Sequence, residues 1–531
     1  MSASAEVQNW RARLRRDRLL AFVLRHWLMA TAALTAVTLL ALLVYVLAVF
    51  RYAPIAELEV LRTSGSPDCA VLRYRPLAGG AVRFGYDERS RQAEVLHRIS
   101  SGDAGQAQEL RWRIEGLQAG DMVRVTYRQG WRRAKVAKLV PDLSAEAVAP
   151  KSAGVYARRT KPGRLRWIGD LGGSSASEQA VTDGLHWLAR HQAADGSWSC
   201  TCLGSGPASR CEKDRPCTLH GEAFEMAHTG LALLALQGAG HYEGNCTTYS
   251  SAVRRGLEWT IGHQQADGAL VGSQRSSGFA KYHKNHMYEH GIAAYALGDA
   301  CASAAAIGRP LDEVYLDALR KAVEFIEKQQ HNDGGWRYTD NPREPGDTSV
   351  TGWQVFALRA AQDAGLPTAD RCLKKLDKFF QLRETGTRGQ TGYQNRNVQT
   401  DATTGAGMLA RQFLFDEPRG ALVSKAADYL AELAENTYRG RAPAGDDRDY
   451  YLWYHCSLAM LQAGGTPGKR WNDAVRDTVI KLQRHEGCAR GSWEPDDRWG
   501  TPGGRIYSTA MAILTLEAYY RYTLSDETIS P

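Results

Sequence analysis

Three short turns built to one pattern constrain this chain more than any other feature. HQAADGSW (191–198), HQQADGAL (263–270) and QQHNDGGW (329–336) all contain Q-x-x-D-G, and weaker forms recur in GQTGYQ (389–394) and GCARGSW (487–493). Turns of this kind alternate with segments that are apolar nearly all round, starting at His228, Glu289, Asp347, Asp401, Tyr454 and Ser508. Those starts are separated by 61, 58, 54, 53 and 54 residues. A period of this kind means one supersecondary unit repeated, each unit needing its neighbours to bury its apolar face. Two-faced helices near 176–191, 250–265, 313–330, 368–382, 421–435 and 471–485 suit an outer layer. The small, all-round apolar helices suit an inner ring. The fold class is therefore mainly α, with six helical hairpins over 176–520 closing into an α6–α6 toroid.

The repeated turn has a physical task. At the end of an outer helix Gln192, Gln264 and Gln330 can reach exposed backbone carbonyls, while Asp195, Asp267 and Asp333 can accept backbone N–H bonds. The glycine permits positive φ, and Trp198 and Trp336 cover neighbouring apolar surface. Catalytic residues seldom recur symmetrically in one chain, so these residues are read as clips between hairpins.

Residues 26–50, HWLMATAALTAVTLLALLVYVLAVF, carry no formal charge and are long enough to cross a bilayer core of about 30 Å. Arg11, Arg13, Arg15, Arg16, Arg18 and Arg25 precede the run against only Glu6 and Asp17. The positive-inside bias keeps residues 1–25 in the cytoplasm and sends the main domains across, into the periplasm if the cell is bacterial. No small-x-small cleavage site follows, so the segment reads as an uncleaved signal anchor and the protein as single-pass. The formal charge of +8 is spread over 531 residues without a basic block in the bulk of the chain, which argues against nucleic acid as a partner.

Between 57 and 139 the runs VLRYRPL, AVRFGY, ELRWRIEGL and DMVRVTYRQGW alternate with period two, as in a small β-rich domain of antiparallel strands. Residues 140–175 read as a linker and 521–531 as a tail. Cys200, Cys202, Cys211 and Cys217 crowd a Gly- and Pro-rich loop. Outside the cytoplasm two local disulfides would tie such a loop down. Zinc, with His220 as an extra ligand, is the competing reading, although C-x-C-x8-C is not a usual knuckle spacing. No resident metal or cofactor is assigned. Asp446, Asp447, Asp449, Asp496 and Asp497 in GDDRDYY and SWEPDDRWG read as solvated or turn-forming carboxylates, since neither run has a calcium-loop spacing.

The N-termini of the inner helices converge at one end of a toroid. The polar residues there are His228, Tyr288, Glu289, His290, Asp347, Asp401, Tyr454, His455, Tyr507 and Ser508. Converging helix N-termini favour anions, and a polar-rimmed central cavity is the default site. Asp347, His290, His455 and Glu289 are the catalytic candidates; His228, Tyr288, Asp401, Tyr454 and Tyr507 form the remaining rim.

Q-x-x-D-G-x-W at 192–198 and 330–336 resembles the QW repeat of squalene-hopene cyclases. Residues 176–520 resemble the α/α-toroid superfamily that holds those cyclases and protein prenyltransferase β subunits. The resemblance implies two kinds of chemistry, and the chain departs from both. Asp347-Thr348 is similar to the end of the cyclase D-x-D-D-T acid motif, but Glu344 and Gly346 stand at the preceding acidic positions. Asp347 and the Tyr454-His455 pair are similar to the prenyltransferase zinc ligands, but Ser349 replaces the Cys. The expected function is a non-catalytic binding or scaffold module with a polar-rimmed cavity, for an isoprenoid, glycan or protein ligand. The alternative is an isoprenoid-handling enzyme, cyclase or prenyltransferase-like, or a polysaccharide lyase or glycosidase using Glu289 with Asp347 or Asp401 as acid and base.

Overall fold

The computed structural model describes residues 3–50, the strands between 55 and 143, residues 106, 159 and 168, and most of 172–521. Within that last stretch the segments 204–208, 213–215, 218–220, 223, 244–246, 273–281, 307–311, 339–340, 416, 441–442 and 444–446 lie outside the description. His220, Asp446 and nearly all of the linker and tail expected from the sequence fall there as well. The chain divides into two units, Met1–Glu146 and Ala147–Pro531.

In the first unit α1 (Ala3–Phe50) is one helix of 48 residues. Over Arg13–Leu40 it is long and apolar enough to cross a membrane. Leu20, Phe22, Leu28 and Leu39 on it are exposed, an arrangement that water disfavours and lipid favours. The strands are β1 (Ile55–Thr63), β2 (Ser66–Pro76), β3 (Gly80–Glu88), β4 (Arg91–Ile99), β5 (Gln108–Arg113), β6 (Val125–Gln129), β7 (Arg132–Val136) and β8 (Val140–Leu143). They form two four-stranded sheets ordered β5-β2-β1-β8 and β4-β3-β6-β7. Period-two alternation puts Leu72 and Tyr74 of β2 on one face, and both are buried. β8 occupies the first residues of the expected linker and runs parallel to β1; its short Val-Pro-Asp-Leu segment carries no alternation to reveal it.

The second unit is helical: α2 (Ser175–Arg190), α3 (Glu225–Gly238), α4 (Ser250–Gly262), α5 (His286–Ala306), α6 (Glu313–Lys328), α7 (Thr348–Asp363), α8 (Asp370–Gln381), α9 (Asp401–Leu414), α10 (Ala421–Thr437), α11 (Tyr450–Ala463), α12 (Gly465–Lys481), α13 (Gly500–Leu516) and α14 (Ala518–Arg521). The odd-numbered helices pack in sequence, α3 on α5, α5 on α7, α7 on α9, α9 on α11 and α11 on α13, and α13 returns to α3. Each therefore has a neighbour on both sides, which is why α3 is buried at every position after Glu225. The even-numbered helices α2 to α12 bury one stripe only; in α8 it is Cys372, Leu376, Phe379 and Phe380. Gly504 leaves the helical conformation at φ 64 and kinks α13, so the apolar run begins later than the helix itself.

The repeated turns join successive hairpins by identical bonds. Gln330 Nε2 donates to Gly334 O at 2.9 Å across its own turn and to Cys372 O at 3.0 Å on α8. Gln192 and Gln264 do the same toward Ala252 and Ala318. Asp195, Asp267 and Asp333 accept the backbone N–H two residues on. Trp198 and Trp336 are fully buried, their indoles donating to Leu188 O and Ile326 O. Gly334 sits at φ 94, where an added Cβ would lie 2.1 Å from Lys375 O. Gln483, absent from the sequence reading because its turn lacks Asp, donates to Gly491 O and to Ala180 O on α2. The last turn thereby clips onto the first outer helix.

Candidate functional site

Asp347 caps α7 and is fully buried. One carboxylate oxygen accepts from Val350 N at 2.9 Å and from Ser349 Oγ at 2.7 Å. The other is buried with no hydrogen-bond partner among the described residues. Burial raises the Asp347 carboxyl above the ordinary range, against the bonds from Val350 and Ser349 that pull it down. Tyr288 Oη lies 2.6 Å from Ser349 Oγ, so Tyr288, Ser349 and Asp347 form one hydrogen-bonded relay. Tyr451 donates to Ser349 O at 3.1 Å, and Tyr338 and Tyr393 bond each other at 2.6 Å.

The backbone explains why these rings meet. Thr348 donates both its N–H and its hydroxyl to the 392–393 segment, which pins Tyr393 over the start of α7. Asn285, at φ 80, donates its N–H to Tyr338 O and sets the first turn of α5 beside Tyr338. From α11 and the loop before α13 come Asp449 and Asp497, which interact electrostatically with Tyr451 and Tyr507. Burial raises Asp449 to about 6 and Asp497 to about 7. Tyr507 Oη and Asp497 Oδ1 are also buried without a hydrogen-bond partner. Tyr288, Tyr338, Tyr393 and Tyr507 are half-buried, and burial raises the carboxyls of Asp347, Asp449 and Asp497 that interact with them.

Below the rim the axis is filled. Tyr295 stacks on Phe356 at 5.0 Å between ring centres, Trp353 stacks on Tyr454 at 5.9 Å, and Phe356 lies 5.6 Å from Tyr454. Tyr454 is thus in the packed centre and not on the rim, a correction to its expected place: its hydroxyl turns inward to Tyr295 Oη. His455 sits under the rim against Tyr451 and Trp353, with Nδ1 donating to Tyr451 O and Nε2 unpartnered. Burial lowers it to about 4, so the imidazole is neutral near pH 7.

Other expected members are placed elsewhere. His290 is corrected from catalytic candidate to structural core: Leu270 N–H donates to its Nδ1 and its Nε2 donates to Ala322 O, leaving no free nitrogen. Asp401 faces the outer layer, where Tyr429 donates to it, and Thr400 is the true cap of α9. Glu289 joins His283 at 2.9 Å and accepts from Gly272 N, with Oε1 unpartnered. His283 is raised: burial lowers it, but the Glu289 hydrogen bond and charge outweigh that. His228 bonds Gly503 O at 2.9 Å, and Ser508 bonds Gly504 O. Tyr338, Tyr393 and Tyr451 were not among the sequence candidates, although Tyr393 lies in the weak turn repeat at 389–394 and Tyr451 ends GDDRDYY.

The loop cysteines also differ from their expected disulfides. Cys200, Cys202, Cys211 and Cys217 are all free. Cys200 faces His228 and Gly503, whereas Cys211 and Cys217 lie together and share their surroundings with Cys488, in a turn almost three hundred residues away.

A family model, the squalene-hopene cyclase C-terminal domain, matches residues 168–302. That match supports the resemblance carried by the repeated turns. No functionally curated protein matches the chain. Among solved structures, the chain is similar to a beta-1,3-1,4-glucanase from Paenibacillus sp. X4, with 10% identity, a TM-score of 0.43, and 66% of this chain and 93% of that one covered. A family 76 glycoside hydrolase from a bovine Bacteroides thetaiotaomicron strain follows with 9% identity, a TM-score of 0.41 and coverage of 87% and 98%. The type II terpene cyclase MstE from Scytonema has 13% identity, a TM-score of 0.38 and coverage of 65% and 98%.

Proposed function

We propose that this chain is a membrane-anchored α/α-toroid, held on the far side of the membrane from the basic N-terminus, that binds a glycan segment at its tyrosine-and-carboxyl rim. The ring of helix contacts that closes from α13 to α3 supports the toroid, and the arginines ahead of α1 support the orientation. The observation that carries the ligand class is the filled axis. Tyr295, Phe356, Trp353 and Tyr454 occupy the space a folded polyprenyl chain would need, while four half-buried tyrosines remain at the mouth. Aromatic faces stack on the apolar faces of sugar rings.

A second reading rests on Asp347 itself. A buried carboxyl with one oxygen held and the other unpartnered, raised above its ordinary range, has the environment of a general acid. Calorimetric titration of the full-length protein in detergent with neutral and amino-sugar oligosaccharides tests both. Saturable binding weakened about tenfold by Tyr288→Ala supports the binding module. New reducing ends that vanish in Asp347→Asn favour the acid. Binding of a polyprenyl lipid with no response to any oligosaccharide sinks the proposal.

A further inference from the structure

The first and last turns of the helical unit meet at a cluster that the rim does not use. His191 closes α2, Cys211 and Cys217 lie in the loop between α2 and α3, and Cys488 lies in the turn between α12 and α13. One ligand atom from each, His191 nitrogen and three sulfurs, lies within 4.8 Å of all the others. His191 Nε2 is 3.3 Å from Cys488 Sγ and 3.9 Å from Cys217 Sγ. A tetrahedral zinc with Zn–S near 2.3 Å and Zn–N near 2.0–2.1 Å places its ligands about 3.5–3.8 Å apart, the range those two distances bracket. We propose that His191, Cys211, Cys217 and Cys488 hold one zinc ion that fastens the first hairpin to the last.

The surroundings have the form of an outer ligand shell. His191 Nδ1 lies 2.8 Å from Trp187 O; a carbonyl only accepts, so the proton is on Nδ1 and the Nε2 lone pair faces the sulfurs. Backbone N–H groups point at two of the sulfurs, Glu212 N to Cys488 Sγ at 3.3 Å and Cys217 N to Cys211 Sγ at 3.4 Å. Three thiolates and a neutral imidazole leave the zinc complex with one net negative charge. Arg190, which donates to Cys488 O, and Arg505, which interacts electrostatically with Cys217, offset it. His263 provides an internal comparison. It stacks on Trp259 as His191 stacks on Trp187 and makes the same bond to a carbonyl four residues back, yet it is exposed and meets no sulfur among the described residues. Four protein ligands, three of them buried, leave no open position, so the ion is structural and not catalytic. Its place is the seam where Gln483 also reaches α2, and where a closed ring has no chain continuity to hold it.

Full-length protein purified in detergent under reducing conditions and loaded with zinc should carry about one zinc per chain by elemental analysis. Zinc-edge absorption should show three sulfur and one nitrogen neighbours, a readout that depends on no variant. Cys488→Ser and His191→Ala should lower zinc to below about a fifth of a mole per chain. Cys488→His should retain it, and Cys301→Ser, at a buried cysteine elsewhere, should leave it unchanged. A sulfur-poor or six-coordinate zinc spectrum, iron in place of zinc, full zinc content in Cys488→Ser, or a Cys211–Cys217 or Cys217–Cys488 disulfide in protein isolated without reductant would each overturn the assignment.

Discussion

Replacing Gln330 with Ala removes one clip and leaves the rest of its turn intact. The side chain is buried and makes two bonds, to Gly334 O at 2.9 Å and to Cys372 O at 3.0 Å on the next outer helix. Each such bond contributes about 1 kcal/mol net. The lost Cγ methylene adds about 0.8 kcal/mol of burial. The Cys372 carbonyl lies in the first turn of α8 and keeps the helix as a second partner, so its orphaning adds little; the Gly334 carbonyl in the turn does not have that recourse. The sum is about 3 kcal/mol. Gln265, one turn earlier, is the control: it is exposed and among the described residues its side chain bonds only His263 O, so Gln265→Ala should change stability by less than about 0.5 kcal/mol. Equilibrium urea titration of the full-length protein, read by tryptophan fluorescence and by hydrogen exchange at the 329–336 turn, separates the two. Equal midpoints for both variants would refute the clip as a source of stability.

Asp497 sets a pH dependence. Its carboxyl is raised to about 7, by burial first and by Asp449 second, so between about pH 4 and pH 7 the folded chain holds a proton that the unfolded chain releases. That contribution is fully present below pH 4 and is lost as pH rises through 7; Asp497→Asn should flatten the fall in stability between about pH 4 and pH 7, a difference of about 2–4 kcal/mol at pH 8, shared with Asp449. Asp299 lies in a buried network in which Arg159 binds it at 2.8 and 2.9 Å and also donates to Arg521 O, while Arg521 pairs with Glu517 at 3.1 Å. Asp299→Ala removes the carboxylate that holds the buried Arg159 guanidinium by two bonds and should cost about 3–5 kcal/mol in the same titration, with Asp299→Asn costing less.

The periodic features are legible in the sequence. Helical hairpins announce themselves because burial on all sides demands small apolar residues at every position, as in α3, and burial on one side demands a stripe, as in α8. The repeated Q-x-x-D-G turn was readable for the same reason: it bonds within four residues of the glutamine and then to the next outer helix, by the same pattern at Gln192, Gln264 and Gln330. Contacts between distant segments obey no such rule. Tyr288 and Ser349 are 61 positions apart, and nothing in either neighbourhood names the other. Tyr454 reads like a rim residue until the packing of Trp353 and Phe356 turns it inward.

His191 and His263 make the limit concrete. Both follow a tryptophan by four residues, both open a repeated turn, and both bond the same carbonyl, so the chain alone determined their local geometry. Which of them faces three sulfurs depends on where a closed ring brings its last turn back to its first. That meeting is set by the packing of six inner helices, a sum over many weak contacts that no short stretch of sequence records.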